Sequence, residues 1–168
     1  MNIGLFFNPN GRITKAAFQS GALVLIVISF VFALMPLVAS GTALMAVSSI
    51  TTLIGLVMIW CWIALWVKRL HQGGITGWMV VLLGFGWFVV NMIVGTVITV
   101  VFAPDLMGAA PEGDGFMDIM QQSIEASQAL AVPNAVAGAL VSLAFVFIVN
   151  AALPSQDGEN QYGPAPAQ

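Results

Sequence analysis

The side chains that could carry chemistry are few, and several of them fall in one short segment, VKRLHQGGITGW, residues 67–78. This segment holds Lys68, Arg69 and His71, which are two of the four basic residues and the only histidine. Histidine titrates near neutral pH and serves proteins as an acid, a base or a metal ligand. The segment is therefore the first place to look for an active site.

The surroundings of His71 argue against catalysis. No carboxylate or nucleophile lies beside it in the sequence, although Ser155 and Asp157 could complete a Ser-His-Asp set in space. A zinc site needs three or four nitrogen, sulfur or oxygen ligands, and the single cysteine, Cys61, lies inside an apolar run. We expect no catalytic residues, no metal site and no cofactor, so the protein is predicted not to be an enzyme.

Composition indicates that lipid is the solvent for most of the chain. The 168 residues are 60% hydrophobic and only 7% charged, with a mean hydropathy of +0.99, whereas soluble domains are about 25% charged. The net charge of −3 argues against nucleic-acid partners, which require clustered Lys and Arg. The lipid bilayer is the first partner that the sequence predicts.

Four segments reach the roughly 20 apolar residues that a helix needs to cross a bilayer. They cover residues 16–39, 43–67, 78–102 and 134–153. Barrel strands would alternate polar and apolar residues in shorter segments, so we predict an all-α integral membrane protein with four transmembrane helices. Residues 1–153 form this membrane domain, and residues 154–168 form a polar tail rich in Pro and Gly.

The basic residues predict the orientation. With four spans, all of them fall on one side of the membrane: Arg12, Lys15, Lys68 and Arg69. The loop 103–132 on the other side has no Lys or Arg, so the positive-inside rule predicts that both termini are cytoplasmic. Trp66 and Trp78 are expected at the interface. The first apolar run is longer than the 7–15 residues of a signal peptide, so we expect it to be retained.

The loop 103–132 contains a segment with helical spacing of apolar residues, preceded by a possible cap at Asp114. The apolar positions are Phe116, Met117, Met120 and Ile124. They predict a short amphipathic helix on the outer surface, either a lid resting on the bundle or headgroups or a docking surface for a partner protein.

Two further groups of residues are candidates for structural roles. We predict a cytoplasmic polar cluster in which the tail residues pair with the basic ones: Arg12, Lys68, Arg69, His71, Asp157, Glu159 and Asn160. Exposed ion pairs contribute about 0–1 kcal/mol each to stability. In the alternative, the basic residues only set the topology and contact anionic lipid, an attraction of about 1 kcal/mol for each residue. Small and polar residues inside the spans are candidates for helix packing: Gly84, Asn91, Gly95, Gly138 and Ser142.

Three stretches, NGRITKAAF (10–18), VKRLHQGGITGW (67–78) and GENQYGPAP (158–166), resemble the signatures of a family of small bacterial inner-membrane proteins. This family is domain of unknown function eight hundred and five, the YhaH-like proteins. The matching residues, in chain order, are Gly11, Arg12, Ile13, Phe18, Lys68, Arg69, Leu70, His71, Gly74, Gly77, Trp78, Asn160, Tyr162, Gly163 and Pro164. The resemblance implies a multi-pass inner-membrane location and no known activity.

The chain departs from that pattern at three positions. Gln72 stands where the family has Asp, Ile75 where it often has a basic residue, and Ala17 where a Glu would complete a capping box with Thr14. Any ionic role that the family's Asp has cannot be assigned to Gln72 in this chain.

We predict a non-enzymatic accessory or scaffold subunit of a membrane complex, or a self-associating protein. The alternatives are a homo-oligomeric channel or transporter-like protein and, third, a membrane enzyme acting at the cytoplasmic face.

Overall fold

The computed structural model describes residues 3–38, 42–104 and 115–166, and the regular elements in those ranges are helical. The helices are α1 (Gly4–Phe7), α2 (Lys15–Ala33), α3 (Thr42–Gln72), α4 (Met79–Phe102), α5 (Phe116–Ala129) and α6 (Ala131–Ala152), with a short 3-10 helix at Met35–Leu37. Part of the loop 103–132, residues 105–114 with Asp114, lies outside the described residues.

Four helical segments are long and apolar enough to cross a membrane. They are Lys15–Leu37, Ser49–Gln72, Met79–Phe102 and Ala131–Ala152. Helices satisfy their backbone hydrogen bonds internally, which is why apolar chains of this length adopt them in lipid. The predicted all-helical architecture with four spans is confirmed by length and composition.

The helix ends differ from the predicted ones where polar side chains find partners. Helix α3 continues to Gln72, five residues beyond the predicted end at residue 67, so Lys68, Arg69 and His71 are helical rather than part of a turn. At the start of α2, the Thr14 hydroxyl accepts a hydrogen bond from the Ala17 backbone N–H at 3.1 Å. Thr14 therefore caps the helix even though the Glu of a capping box is missing.

An aromatic contact between three helices marks the core. The ring centroid of Trp66 on α3 lies 4.4 Å from that of Phe18 on α2 and 6.0 Å from that of Phe145 on α6. Trp66 is only 6% exposed, whereas Trp78 is 81% exposed. The Trp66 ring therefore fills the space between α2, α3 and α6, while the depth of both tryptophans in the membrane remains a prediction.

Helix α4 is the span least covered by the rest of the chain. Only Ile98 is buried among its residues, and 6% of its apolar window is buried against 17–22% for the other three spans. It contacts α6 and α3. Most of α4 is thus left to face lipid or another protein.

The two ends of the bundle differ in chemistry. At one end, α5 is joined to the 3-10 helix by the Gln128 side chain, which donates to the Pro36 carbonyl at 3.0 Å. At the other end lie the residues before α2, the last turn of α3, and the tail after α6. We call this second end the polar end.

Candidate functional site

The polar end is built around cationic side chains that are buried rather than exposed. Arg69 is fully buried, Lys68 is 4% exposed and Arg12 is 9% exposed. A buried charge is costly unless hydrogen bonds compensate for the water that it loses. The partners of these three side chains therefore explain how the polar end is held together.

Arg69 binds the C-terminal end of α6. Its guanidinium donates to the Leu153 and Pro154 carbonyls, each at 2.9 Å, and to both the carbonyl and the side-chain oxygen of Asn150. The last carbonyls of a helix have no partner within the helix and carry the negative end of its dipole. Arg69 supplies both the missing donors and a positive charge at that end.

Lys68 binds the N-terminal segment, also by donating hydrogen bonds to backbone carbonyls. Its ammonium group donates to the carbonyls of Gly4, at 3.1 Å, and Leu5. These contacts hold the short helix α1 against α3. Consecutive residues of α3 thus attach opposite ends of the chain, with Lys68 binding the N-terminal segment and Arg69 binding the end of α6.

Arg12 is enclosed by the C-terminal tail. Its Nη1 donates to the Gly158 carbonyl at 2.7 Å and the Gly163 carbonyl at 2.9 Å, and its Nη2 donates to the Gln156 carbonyl. Its Nε donates to the Gln72 side-chain oxygen at 3.1 Å. The tail therefore folds around one guanidinium and uses backbone oxygens to do so.

His71 lies beside this tail and makes a structural hydrogen bond. Its Nδ1 is 3.2 Å from the Gly11 carbonyl, and its ring stacks on Tyr162 with centroids 3.9 Å apart and planes within 6°. A carbonyl can only accept, so Nδ1 is the protonated nitrogen in this contact. The stacking fixes the tail against the last turn of α3.

Two amides complete the attachment of the tail. Gln72 donates to the Gln156 carbonyl at 2.9 Å, and the Gln156 backbone N–H donates to the Gln72 carbonyl at 3.0 Å. Asn160 donates to the His71 carbonyl at 3.0 Å. Gln72 and Gln156 were not among the predicted site residues, because the sequence signal that drew attention there was charge rather than amide chemistry.

The structure brings together some members of the predicted polar cluster and leaves others at the surface. Arg12, His71 and Asn160 meet at the tail through the contacts described above. Asp157 and Glu159 are exposed, and the partners described for the buried cations are carbonyl and amide oxygens. The tail is thus attached through its backbone, whereas carboxylate pairing remains a prediction.

The residues predicted for helix packing all lie on α4 or α6. A Cβ added at Gly84, Gly95 or Gly138 would meet no atom of the described chain within 4 Å. Asn91 donates to the Trp87 carbonyl of its own helix at 2.8 Å, and Ser142 lines a cleft between α3, α4 and α6. Within the described chain, the three glycines have open space beside them rather than a closely packed helix.

The four apolar residues predicted to form an outer docking surface belong to α5. Phe116 is 72% and Met117 63% exposed, whereas Met120 and Ile124 are half-buried. Helix α5 has no fully buried residue. It is therefore accessible along much of its length, as a docking surface requires, whereas a lid would cover more of its apolar face.

Comparison with known protein families assigns this chain to a family. A family model described as "Protein of unknown function (DUF805)" matches residues 6–164. The chain belongs to this family. No curated protein and no solved structure matches the chain. The DUF805 match confirms the resemblance seen in the three sequence motifs, and it includes the polar end from Arg12 to Gly163.

Proposed function

We propose that this DUF805 protein is a non-enzymatic accessory or scaffold subunit of a membrane protein complex in the bacterial inner membrane. The observation that carries the proposal is the uncovered span α4, of which only Ile98 is buried. Helices associate in lipid through van der Waals packing, and α4 offers most of its length for such packing. A homo-oligomeric channel or transporter-like protein is the alternative use of the same surface.

The polar end supports a scaffold role. Arg12, Lys68 and Arg69 are engaged by the backbone of their own chain, so the cations that a catalytic site or an ion pathway would use have structural partners instead. The tail, α1 and the end of α6 are held together as one surface. A fixed surface of this kind suits the docking of another subunit.

We also propose that this polar end faces the cytoplasm. The four basic residues, Arg12, Lys15, Lys68 and Arg69, lie before α2 or near its start and at the end of α3. The positive-inside rule assigns such an end to the cytoplasm. In this orientation α5 lies on the outer side and offers a second surface for a partner.

The test is extraction in a mild detergent, followed by native sizing and mass spectrometry of the intact assembly. We expect a stoichiometric complex with a different polypeptide. A homo-oligomer with a polar central path would support the channel instead, and a lone monomer would contradict both.

Matched pairs of substitutions on α4 and α3 test which helix contacts the partner. Leu82 and Ile93 are exposed on α4 at 61% and 60%, and Leu53 and Ile50 are exposed on α3 at 64% and 56%. We expect Leu82→Ala with Ile93→Ala to release the partner, and Leu53→Ala with Ile50→Ala to retain it. Equal retention by the two double variants would exclude α4 as the docking helix.

A further inference from the structure

A cleft lies between three spans in the half of the bundle next to the polar end. It encloses about 290 Å³ between α3, α4 and α6, close to the lower limit of about 300 Å³ for ligand pockets. Its lining is almost entirely apolar and includes Trp62, Trp66, Leu83, Gly84, Trp87 and Phe145.

The depth of this cleft follows from its residues on α3 and α4. At 1.5 Å per residue, Trp66 lies about 9 Å and Ile59 about 20 Å from the end of α3 at Gln72. On α4 the lining runs from Val80 to Phe88, within about 14 Å of the helix start. With about 30 Å of hydrocarbon in a bilayer, the cleft lies mainly in the leaflet next to the polar end.

A second pocket, of about 390 Å³, adjoins the cleft at Val80 and lies at the polar end itself. Its lining is more polar and includes His71, Thr76, Trp78 and Tyr162. An apolar cleft in one leaflet that adjoins a polar pocket at the depth of the headgroups has the two-part chemistry of a phospholipid.

The second pocket favours a headgroup that donates hydrogen bonds. Because Nδ1 of His71 is bonded to the Gly11 carbonyl, Nε2 of the neutral imidazole is an acceptor. This Nε2 faces Gly77 at the pocket wall, 3.1 Å from where a Cβ of that residue would lie. Tyr162 and Trp78 add aromatic rings, which attract cations.

The nearby cations are poorly placed to bind an anionic headgroup. Arg12, Lys68 and Arg69 are buried and donate to carbonyls of the chain itself. An acceptor nitrogen beside two aromatic rings is complementary to an ammonium group, which combines positive charge with N–H donors. A primary ammonium retains three such donors, as in lysine.

We propose that the cleft and the adjoining pocket together bind one phospholipid with a primary ammonium headgroup. An acyl chain occupies the apolar cleft beside Gly84, and the ammonium group donates to Nε2 of His71 beside Tyr162 and Trp78. Gly84 keeps the cleft open, because a Cβ added there meets no described atom within 4 Å. This site does not depend on the proposed scaffold role.

The test is native mass spectrometry of the delipidated full-length protein titrated with phosphatidylethanolamine or phosphatidylglycerol of identical acyl chains. We expect one saturable adduct, with a preference of about fivefold for phosphatidylethanolamine from the ammonium contacts. Adducts that increase without saturation, equal binding of the two lipids, or binding of a second protein copy in place of lipid would overturn the proposal.

Two variants separate the parts of the site. Gly84→Leu fills the cleft and is expected to weaken lipid binding about tenfold by excluding the apolar chain. Its control is Gly86→Leu, a substitution on the same helix where an added Cβ also meets nothing within 4 Å and which is not in the cleft lining. Equal binding by the two variants would contradict the assignment of the cleft.

The second variant tests the headgroup contact. His71→Phe keeps an aromatic ring beside Tyr162 but removes the acceptor nitrogen, so we expect binding to persist while the preference for phosphatidylethanolamine disappears. An unchanged preference would overturn the role of Nε2. This ratio of two lipids is measured on folded protein, so it gives an answer even if Gly84→Leu fails to fold.

Discussion

Replacing Arg69 by methionine tests whether the buried cations hold the bundle together. Arg69 is fully buried and donates four hydrogen bonds to three residues at the end of α6. Methionine fills much of the same space but offers no donor. The variant leaves the carbonyls of Asn150, Leu153 and Pro154 without the guanidinium that binds them.

The expected loss of stability follows from two opposing contributions, the hydrogen bonds of the guanidinium and the cost of burying its charge. Hydrogen bonds to a charged group contribute about 1.5–3 kcal/mol each, so four amount to about 6–12 kcal/mol before any cost is counted. Keeping an ion out of water costs several kcal/mol, and subtracting this cost leaves a net contribution of about 3–5 kcal/mol. We expect Arg69→Met to lower the free energy of unfolding by that amount.

The assay is unfolding by sodium dodecyl sulfate in mixed micelles, followed through the five tryptophans. Arg69→Lys keeps the charge but loses the planar fork of donors, so its loss of stability should be intermediate. Lys15→Met is the control, because Lys15 is exposed and its ammonium lies 3.5 Å from the Ala151 carbonyl. A loss below about 1 kcal/mol for Arg69→Met, the contribution of a single ordinary hydrogen bond, would refute the reasoning. So would an equal loss for Lys15→Met.

Two further predictions concern the turn after α3 and the orientation in the membrane. Gly74 has a φ of +73°, and an added Cβ would overlap the Gln156 amide. Gly74→Ala should therefore destabilise the protein in the same unfolding assay by at least the 1–2 kcal/mol typical of left-handed backbone; unchanged stability would exclude this strain. For orientation, Gln121→Cys on α5 should react with a membrane-impermeant maleimide in spheroplasts, whereas Gln161→Cys should react only after permeabilisation. The buried Cys61 keeps the background low, and the reverse pattern would invert the proposed topology.

The spans were predictable because their signal is one of length and composition. A helix crossing a bilayer needs about 20 apolar residues whatever its packing partners are, and α4 meets this condition with only Ile98 buried. The end of α3 was less predictable. Lys68, Arg69 and His71 end the apolar run, yet the helix continues to Gln72, where these side chains bind other parts of the chain.

The attachment of the tail could not be predicted from side chains, because most of its contacts use the backbone. The carbonyls of Gln156, Gly158 and Gly163 bind Arg12, and a carbonyl has the same chemistry at every residue. The charges of Asp157 and Glu159 drew attention to the right segment but not to the atoms that bind.

The contacts of Arg12 also set an order of events during synthesis. Arg12 is made before its carbonyl partners, which lie 144–151 residues later in the chain. Until Gly163 has left the ribosome, the guanidinium keeps water, lipid headgroups or a chaperone as its partner. A chain that terminates before Gln156 therefore inserts its early spans with a cation that lacks its binding site. The polar end can thus close only after the tail has been made.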